Sequence, residues 1–183
     1  MCAFSKAIKY IFYGTTLSII SSLIYMTVFF IIFLYSNASN INNIGLTYIE
    51  AVYMYLALLL LYFIGFIVNI YGYVLLYTAI YDYNKEKHIG SPWAAIISLY
   101  LPIIGYFLLY GIFKNLNPKL RTPAKLLIIP ILIMFSSIFI VISLLFVSEN
   151  IAFLSFILTI IVSLVLIVIA WGIMYERAKK LNL

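Results

Sequence analysis

Five long apolar segments, separated by short polar stretches, dominate the pattern of the chain. They cover residues 11–35, 51–81, 92–113, 126–147 and 151–175, and are 25, 31, 22, 22 and 25 residues long. A helix crosses about 30 Å of hydrocarbon with roughly 20 apolar residues, so each segment is long enough to span a bilayer. The strict alternation that membrane strands need is missing. The pattern predicts an all-α integral membrane protein, with residues 1–183 forming a single transmembrane helical domain.

The third segment differs from the others because Pro102 and Gly105 interrupt it near its middle. Its limbs, 92–101 and 103–113, contain 10 and 11 residues. At 1.5 Å per residue, each limb reaches about 15 Å, which is half of the hydrocarbon thickness. The break therefore fits a hairpin that enters and leaves on one face. It also fits a kinked helix that crosses completely, or a helix that lies at the interface.

The distribution of charge separates these interpretations. If all five segments cross, seven of the 11 basic residues lie on one side and four on the other. If 92–113 does not cross, all 11 share one side with both termini, as the positive-inside rule favours. The sequence therefore predicts a bundle of four spanning helices plus a Pro/Gly-broken re-entrant or non-crossing segment. Five spanning helices are the alternative. The predicted location is the cell membrane, multi-pass, with both termini cytoplasmic.

The stretch at 36–50 is predicted to be an external loop. Glu50 is its one charged residue. It also contains the sequence Asn37-Ala38-Ser39, which matches the acceptor pattern for N-glycosylation. Asn37 is therefore a candidate glycosylation site.

Composition supports the membrane assignment. The chain is 67% hydrophobic and 9% charged, with a mean hydropathy of +1.20, too few charges to cover the surface of a soluble domain. The net charge of +6 does not indicate nucleic acid, because the basic residues flank apolar segments and form no basic face. The predicted partners are the lipid bilayer and other membrane subunits.

Candidate chemistry is sparse. Cys2 is the one cysteine, so an intramolecular disulfide and a Cys-x-x-Cys site are excluded. His88 is the one histidine, so two axial ligands for a b-type haem are lacking. All ionisable residues except tyrosines and Cys2 lie near segment ends, which argues against proton-coupled transport. The polar stretch 81–88, YDYNKEKH, is interpreted as a solvated loop with local ion pairs rather than a metal site. We predict no catalytic residue, no metal and no cofactor.

Strips of small and polar residues mark candidate helix-packing faces or solute contacts. Small residues let membrane helices approach closely, and hydroxyl or amide groups can bond between them. Two strips carry this prediction, one with Gly65, Asn69 and Gly72, the other with Ser155, Thr159 and Ser163.

The composition, with 34 Ile against 28 Leu and 17 Tyr, resembles that of small membrane proteins of thermoacidophilic archaea. This resemblance implies an accessory subunit of a respiratory-type assembly, or a virion membrane protein. From the sequence we therefore expect a non-catalytic, structural or accessory subunit of a larger membrane protein complex. The alternative is a small channel or carrier for a small solute. A viral membrane protein or an intramembrane enzyme is less favoured.

Overall fold

A computed structural model of the chain describes residues 3–37, 48–145 and 148–183, and these residues form helices and turns without a strand. The helices are α1 (Ala3–Asn37), α2 (Tyr48–Tyr83), α3 (Trp93–Tyr100), α4 (Pro102–Leu116), α5 (Arg121–Leu145) and α6 (Glu149–Lys180), with a short 3-10 turn at Pro118–Leu120. Residues 38–47, which make up most of the predicted external loop, lie outside the described residues. They include Ala38 and Ser39 of the predicted glycosylation motif that begins at Asn37.

Within the described residues, four helices are long and apolar enough to cross a membrane. Their apolar stretches are Ala3–Val28 in α1, Val52–Tyr83 in α2, Pro118–Leu144, which runs from the 3-10 turn into α5, and Leu154–Lys180 in α6. This confirms the prediction of an all-helical chain with four helices of spanning length. Several helices extend beyond the predicted apolar segments, because Lys and Arg can stay helical while their long side chains carry the charge to water.

The segment 92–113 folds as a helical hairpin. Leu101 separates α3 from α4, and its φ of −127° and ψ of 74° reverse the chain. A continuous helix would separate residues 98 and 105 by about 10 Å. Instead, a Cβ added at Gly105 would overlap the Ser98 backbone. The kinked continuous helix required by the five-span alternative is therefore not the conformation of this segment.

Backbone hydrogen bonding explains why the reversal can be so short. The Leu101 N–H donates to the Ile97 carbonyl at 2.7 Å, and the Leu101 carbonyl accepts from the Gly105 N–H at 2.8 Å. Pro102 occupies the first position of α4, where it has no N–H to satisfy. A helix start normally leaves four N–H groups without a partner in the helix. Here the Leu101 N–H is bonded to Ile97 and Pro102 has no N–H, so only the N–H groups of residues 103 and 104 are left without a helical partner.

Both ends of the hairpin meet at the same end of the bundle. The Asn115 Nδ2 donates to the Ile89 carbonyl at 3.1 Å. At Gly90, the residue after Ile89, an added Cβ would lie 2.7 Å from Ile112 Cγ1 of α4. Gly90 has a φ of +151°, a conformation that residues with a side chain rarely adopt. The chain therefore enters and leaves the hairpin at adjacent points.

The six helices pack as a ring in chain order. Each helix contacts the next, and α6 closes the ring by packing against α1. The short α3–α4 hairpin fills the gap between α2 and α5 in one half of the bundle. The most extensive contacts of the ring are those of α1 with α2 and of α5 with α6.

All 11 Lys and Arg residues lie at one end of the ring, which we name the basic end. They lie in four stretches of chain: the start of α1, the α2–α3 loop, residues 114–125 and the end of α6. Three hydrogen bonds join these stretches: Ser5 N–H to Leu183 O at 2.8 Å, Arg177 Nη1 to Lys119 O at 3.2 Å and Asn115 Nδ2 to Ile89 O at 3.1 Å.

The hydrophobic core lies in the half of the bundle nearer the basic end. Trp171 of α6 is fully buried at its centre. Three aromatic rings contact Trp171 edge to face: Tyr73 at 6.2 Å, Tyr106 at 6.2 Å and Phe113 at 6.5 Å between ring centroids. Trp171 thus joins α2, α4 and α6, and it anchors the hairpin to the long helices.

Candidate functional site

The first predicted strip lies in the contact between α1 and α2. A Cβ added at Gly72 would stand 2.6 Å from the Ile11 backbone nitrogen. At Gly65 it would stand 2.6 Å from the Ser18 Oγ. Both glycines therefore permit a backbone approach that larger residues would prevent. Gly14 of α1 makes the reciprocal approach to the α2 backbone at Asn69.

Asn69 bonds across this same contact. Its Nδ2 donates to Thr15 Oγ1 at 3.0 Å. Within the described residues, the buried Asn69 Oδ1 and Ser18 Oγ have no hydrogen-bond partner. The Asn69 side-chain N–H group thus forms a hydrogen bond between α2 and α1, as polar residues in packed membrane helices do.

The second predicted strip lies on α6. Ser155 and Thr159 bond to their own helix, through the Ala152 carbonyl at 3.3 Å and the Ser155 carbonyl at 2.8 Å. Ser163 is fully buried, and its Oγ has no partner among the described residues. Because these bonds stay within one helix, the strip adds small, close-packing positions rather than a polar connection to its neighbour.

The exposed face of α5 was missed by our sequence interpretation. We name it the α5 outer face and define it by Ile129, Leu132, Ser136, Ile140 and Ser143. Both serines are exposed, and their hydroxyls donate to carbonyls one turn earlier, at 2.8 Å for Ser136 and 2.9 Å for Ser143. The seven-residue spacing of these serines is the signal that could have identified the face, since only spacings of three and four were considered.

Two apolar grooves flank this face. One, of about 380 Å³, runs between α5 and α6 and reaches Thr159. The other, of about 470 Å³, runs between α5 and the tip of α4 and is lined by Ile103 and Phe107. Both grooves include Leu132, Ser136 and Ile140, so the α5 outer face forms a ridge of small and apolar residues between two depressions.

The hairpin tip carries the two predicted break residues. The chain reverses at Leu101, with Pro102 starting α4 and Gly105 packed on Ser98. Tyr100 is 75% exposed, and Leu101 is 56% exposed. The tip therefore presents apolar and aromatic surface, with no charged residue.

The polar stretch at 81–88 is organised by Asn84, another residue that the sequence interpretation missed. Its Nδ2 donates to the Gly90 carbonyl at 2.6 Å, and its Oδ1 accepts from the Ile89 N–H at 2.8 Å. Asp82 accepts a hydrogen bond from Lys85 Nζ at 2.7 Å, which raises the pKa of Lys85. In the described part of the chain, no three His, Cys, Asp or Glu side chains are grouped to hold a metal ion.

Most serine and threonine hydroxyls of the described helices donate to carbonyls of their own helix, as Thr16, Ser22 and Ser98 do. Such bonds satisfy the hydroxyl in an apolar environment and leave a small, compact side chain on the helix surface. The polar residues of the bundle are thus suited to helix–helix packing.

A comparison of the chain with protein-family models, curated proteins and solved structures finds no match.

Proposed function

We propose that this chain is a non-catalytic subunit of a larger membrane assembly and binds a transmembrane helix of a partner along its α5 outer face. The observation that carries the proposal is the exposure of Ser136 and Ser143, one heptad apart. Small residues are enriched where membrane helices pack, because they let backbones approach. The grooves on either side would receive the larger side chains of the partner helix.

The exposed face of α2 provides an internal contrast. It also has a seven-residue repeat of exposed positions, occupied by Tyr53, Leu60, Ile67, Val74 and Tyr81. All five are large, as expected for a surface that contacts lipid tails. The exposed heptad position of α2 thus holds large residues throughout, whereas that of α5 holds Ser136 and Ser143, which favours the α5 outer face as the subunit contact.

In the proposed membrane arrangement, α1, α2, α5 and α6 cross the cell membrane, and the basic end faces the cytoplasm with both termini. The charge asymmetry of all 11 basic residues supports this orientation. The 8 residues of α3 and 15 residues of α4 reach about 12 and 22 Å. The hairpin is therefore proposed to enter the hydrocarbon from the cytoplasmic side and to return. A respiratory-type assembly is one form of this proposal that fits the resemblance in composition, and a virion membrane is the other.

Purification in a mild detergent tests the subunit proposal. We expect partner chains to copurify stoichiometrically, and Ser136→Trp to release them by filling the contact. Ile138→Trp is the matched control, because Ile138 is 47% exposed on a different face of the same helix turn. A monodisperse protein without partners would contradict the proposal, as would equal loss of partners in both variants.

A small channel or carrier is the second proposal. The half-length hairpin is the observation in its favour, because broken or re-entrant helices often form solute paths. Such a path needs polar lining, and the hairpin tip offers Tyr100, Leu101 and Ile104 instead. Transport is therefore the weaker proposal. Solute flux into liposomes that contain the purified chain, reduced by Asn69→Leu, would favour it over the subunit role.

A further inference from the structure

A groove of about 510 Å³ runs between α1 and α6 toward the basic end. Its walls are apolar, and we name it the α1–α6 groove, lined by Phe12, Val168, Ile169, Gly172 and Ile173. Gly172 provides its depth, because a Cβ there would lie 3.2 Å from the Phe12 ring. The Phe12 ring stacks on Tyr175, with centroids 6.2 Å apart, which fixes this wall.

Charged residues line the same groove at the basic end. They are Glu176, Arg177 and Lys180. Arg177 uses Nη1 to bond the Lys119 carbonyl, which holds the guanidinium in place and leaves its other N–H groups available. In the described residues, neither Arg177 nor Lys180 forms an ion pair. The mouth of the groove thus combines two cations with one carboxylate.

The length of the groove matches one leaflet of a membrane. Val168 and Lys180 lie 12 residues apart on α6, which is about 18 Å along the helix. Half of the hydrocarbon is about 15 Å thick. An acyl or isoprenoid chain lying against Val168 and Ile169 would therefore bring its headgroup to Arg177 and Lys180.

We propose that the α1–α6 groove binds an anionic phosphodiester lipid, with its chain along α6 and its phosphate on Arg177 and Lys180. Arg and Lys both bind phosphate, and Arg does so through a planar fork of donors. Glu176 disfavours a second negative charge next to the phosphate, so a singly charged diester suits the site better than a phosphomonoester. This proposal rests on the proposed membrane placement and is independent of the subunit role.

Native mass spectrometry of the detergent-purified full chain tests the site, with phosphatidylglycerol and phosphatidylcholine as probes. We expect phosphatidylglycerol to bind more tightly than phosphatidylcholine. Lys180→Gln should weaken the binding of phosphatidylglycerol about fivefold, the typical effect of one basic residue near a lipid surface. Lys179→Gln is the matched control, because Lys179 is exposed in the same helix turn but does not line the groove.

Ile169→Trp tests the apolar wall without changing the charge. Ile169 is exposed, so the variant should fold normally and reduce binding of phosphatidylglycerol by filling the groove. Equal weakening by Lys180→Gln and Lys179→Gln would overturn the site in favour of a general surface-charge effect, as would equal affinity for the two lipids. Partner copurification is measured separately, so failure of the lipid site and failure of the subunit proposal give different results.

Discussion

Gly105 of α4 packs directly onto the backbone of Ser98 in α3, so closely that a Cβ at position 105 would overlap the Ser98 Cα. Ser98 is buried, and its Oγ donates to the Ala94 carbonyl at 2.6 Å, so its hydroxyl stays on its own helix. This contact holds the two limbs of the hairpin together just beyond the reversal at Leu101. The hairpin conformation therefore depends on a residue without a side chain at position 105.

Gly105→Ala should destabilise the protein by about 1–3 kcal/mol, the usual cost of overpacking a close contact. Gly111→Ala is the control, because α4 has open space around Gly111, with nothing within 4 Å of an added Cβ. The control should be neutral or up to about 1 kcal/mol more stable, since Ala favours helix over Gly. The free energy of unfolding in mixed detergent micelles measures both. Equal stability of the two variants would show that α3 and α4 are not in close contact.

Trp171→Ala should cost about 3–5 kcal/mol in the free energy of unfolding, because it leaves a cavity among Tyr73, Tyr106 and Phe113. The other tryptophan, Trp93, is 60% exposed and contacts the Tyr77 ring edge to face at 5.6 Å. Trp93→Ala should therefore cost about 1 kcal/mol, close to the value of one aromatic pair. A similar loss of stability for both variants would contradict a core centred on Trp171.

The Asn69–Thr15 hydrogen bond should appear as a coupling in a double-mutant cycle. We expect Asn69→Leu and Thr15→Val to couple by about 0.6 kcal/mol, with about 1.7 kcal/mol as the upper range for such bonds in membrane proteins. Thr16→Val provides the matched cycle, because the Thr16 hydroxyl donates to the Phe12 carbonyl of its own helix at 2.7 Å. Equal coupling of Asn69 to Thr15 and Thr16 would argue against the bond across α1 and α2.

Two prolines illustrate how much of this fold the sequence could predict. Pro102 begins α4 at a chain reversal, whereas Pro130 lies inside α5, which continues without a break from Arg121 to Leu145. Each proline removes one N–H, so the local sequence does not distinguish a turn from a continuous helix. The count of basic residues favoured the reversal because it constrains every segment together. The existence of the long helices followed directly from their apolar length.

Residues that act through distant contacts could not be predicted in the same way. Trp171 gains its role from rings on α2 and α4, and Asn115 from the Ile89 carbonyl, 26 residues earlier in the chain. No periodic pattern marks either residue, because their partners are brought near only by the folded hairpin. The glycines of the α1–α2 contact were more accessible to prediction, since small residues at helical spacing form a local pattern.

The most direct test of the proposed arrangement is cysteine labelling on the two sides of the hairpin. In a Cys2→Ser background, single cysteines would replace Lys87 and Lys119, which flank the segment, and Ser39 in the predicted external loop. A membrane-impermeant maleimide is then applied to vesicles of known orientation. Positions 87 and 119 should react from the same side, and position 39 from the opposite side. Labelling of 87 and 119 from opposite sides would contradict the returning hairpin and with it the four-span arrangement.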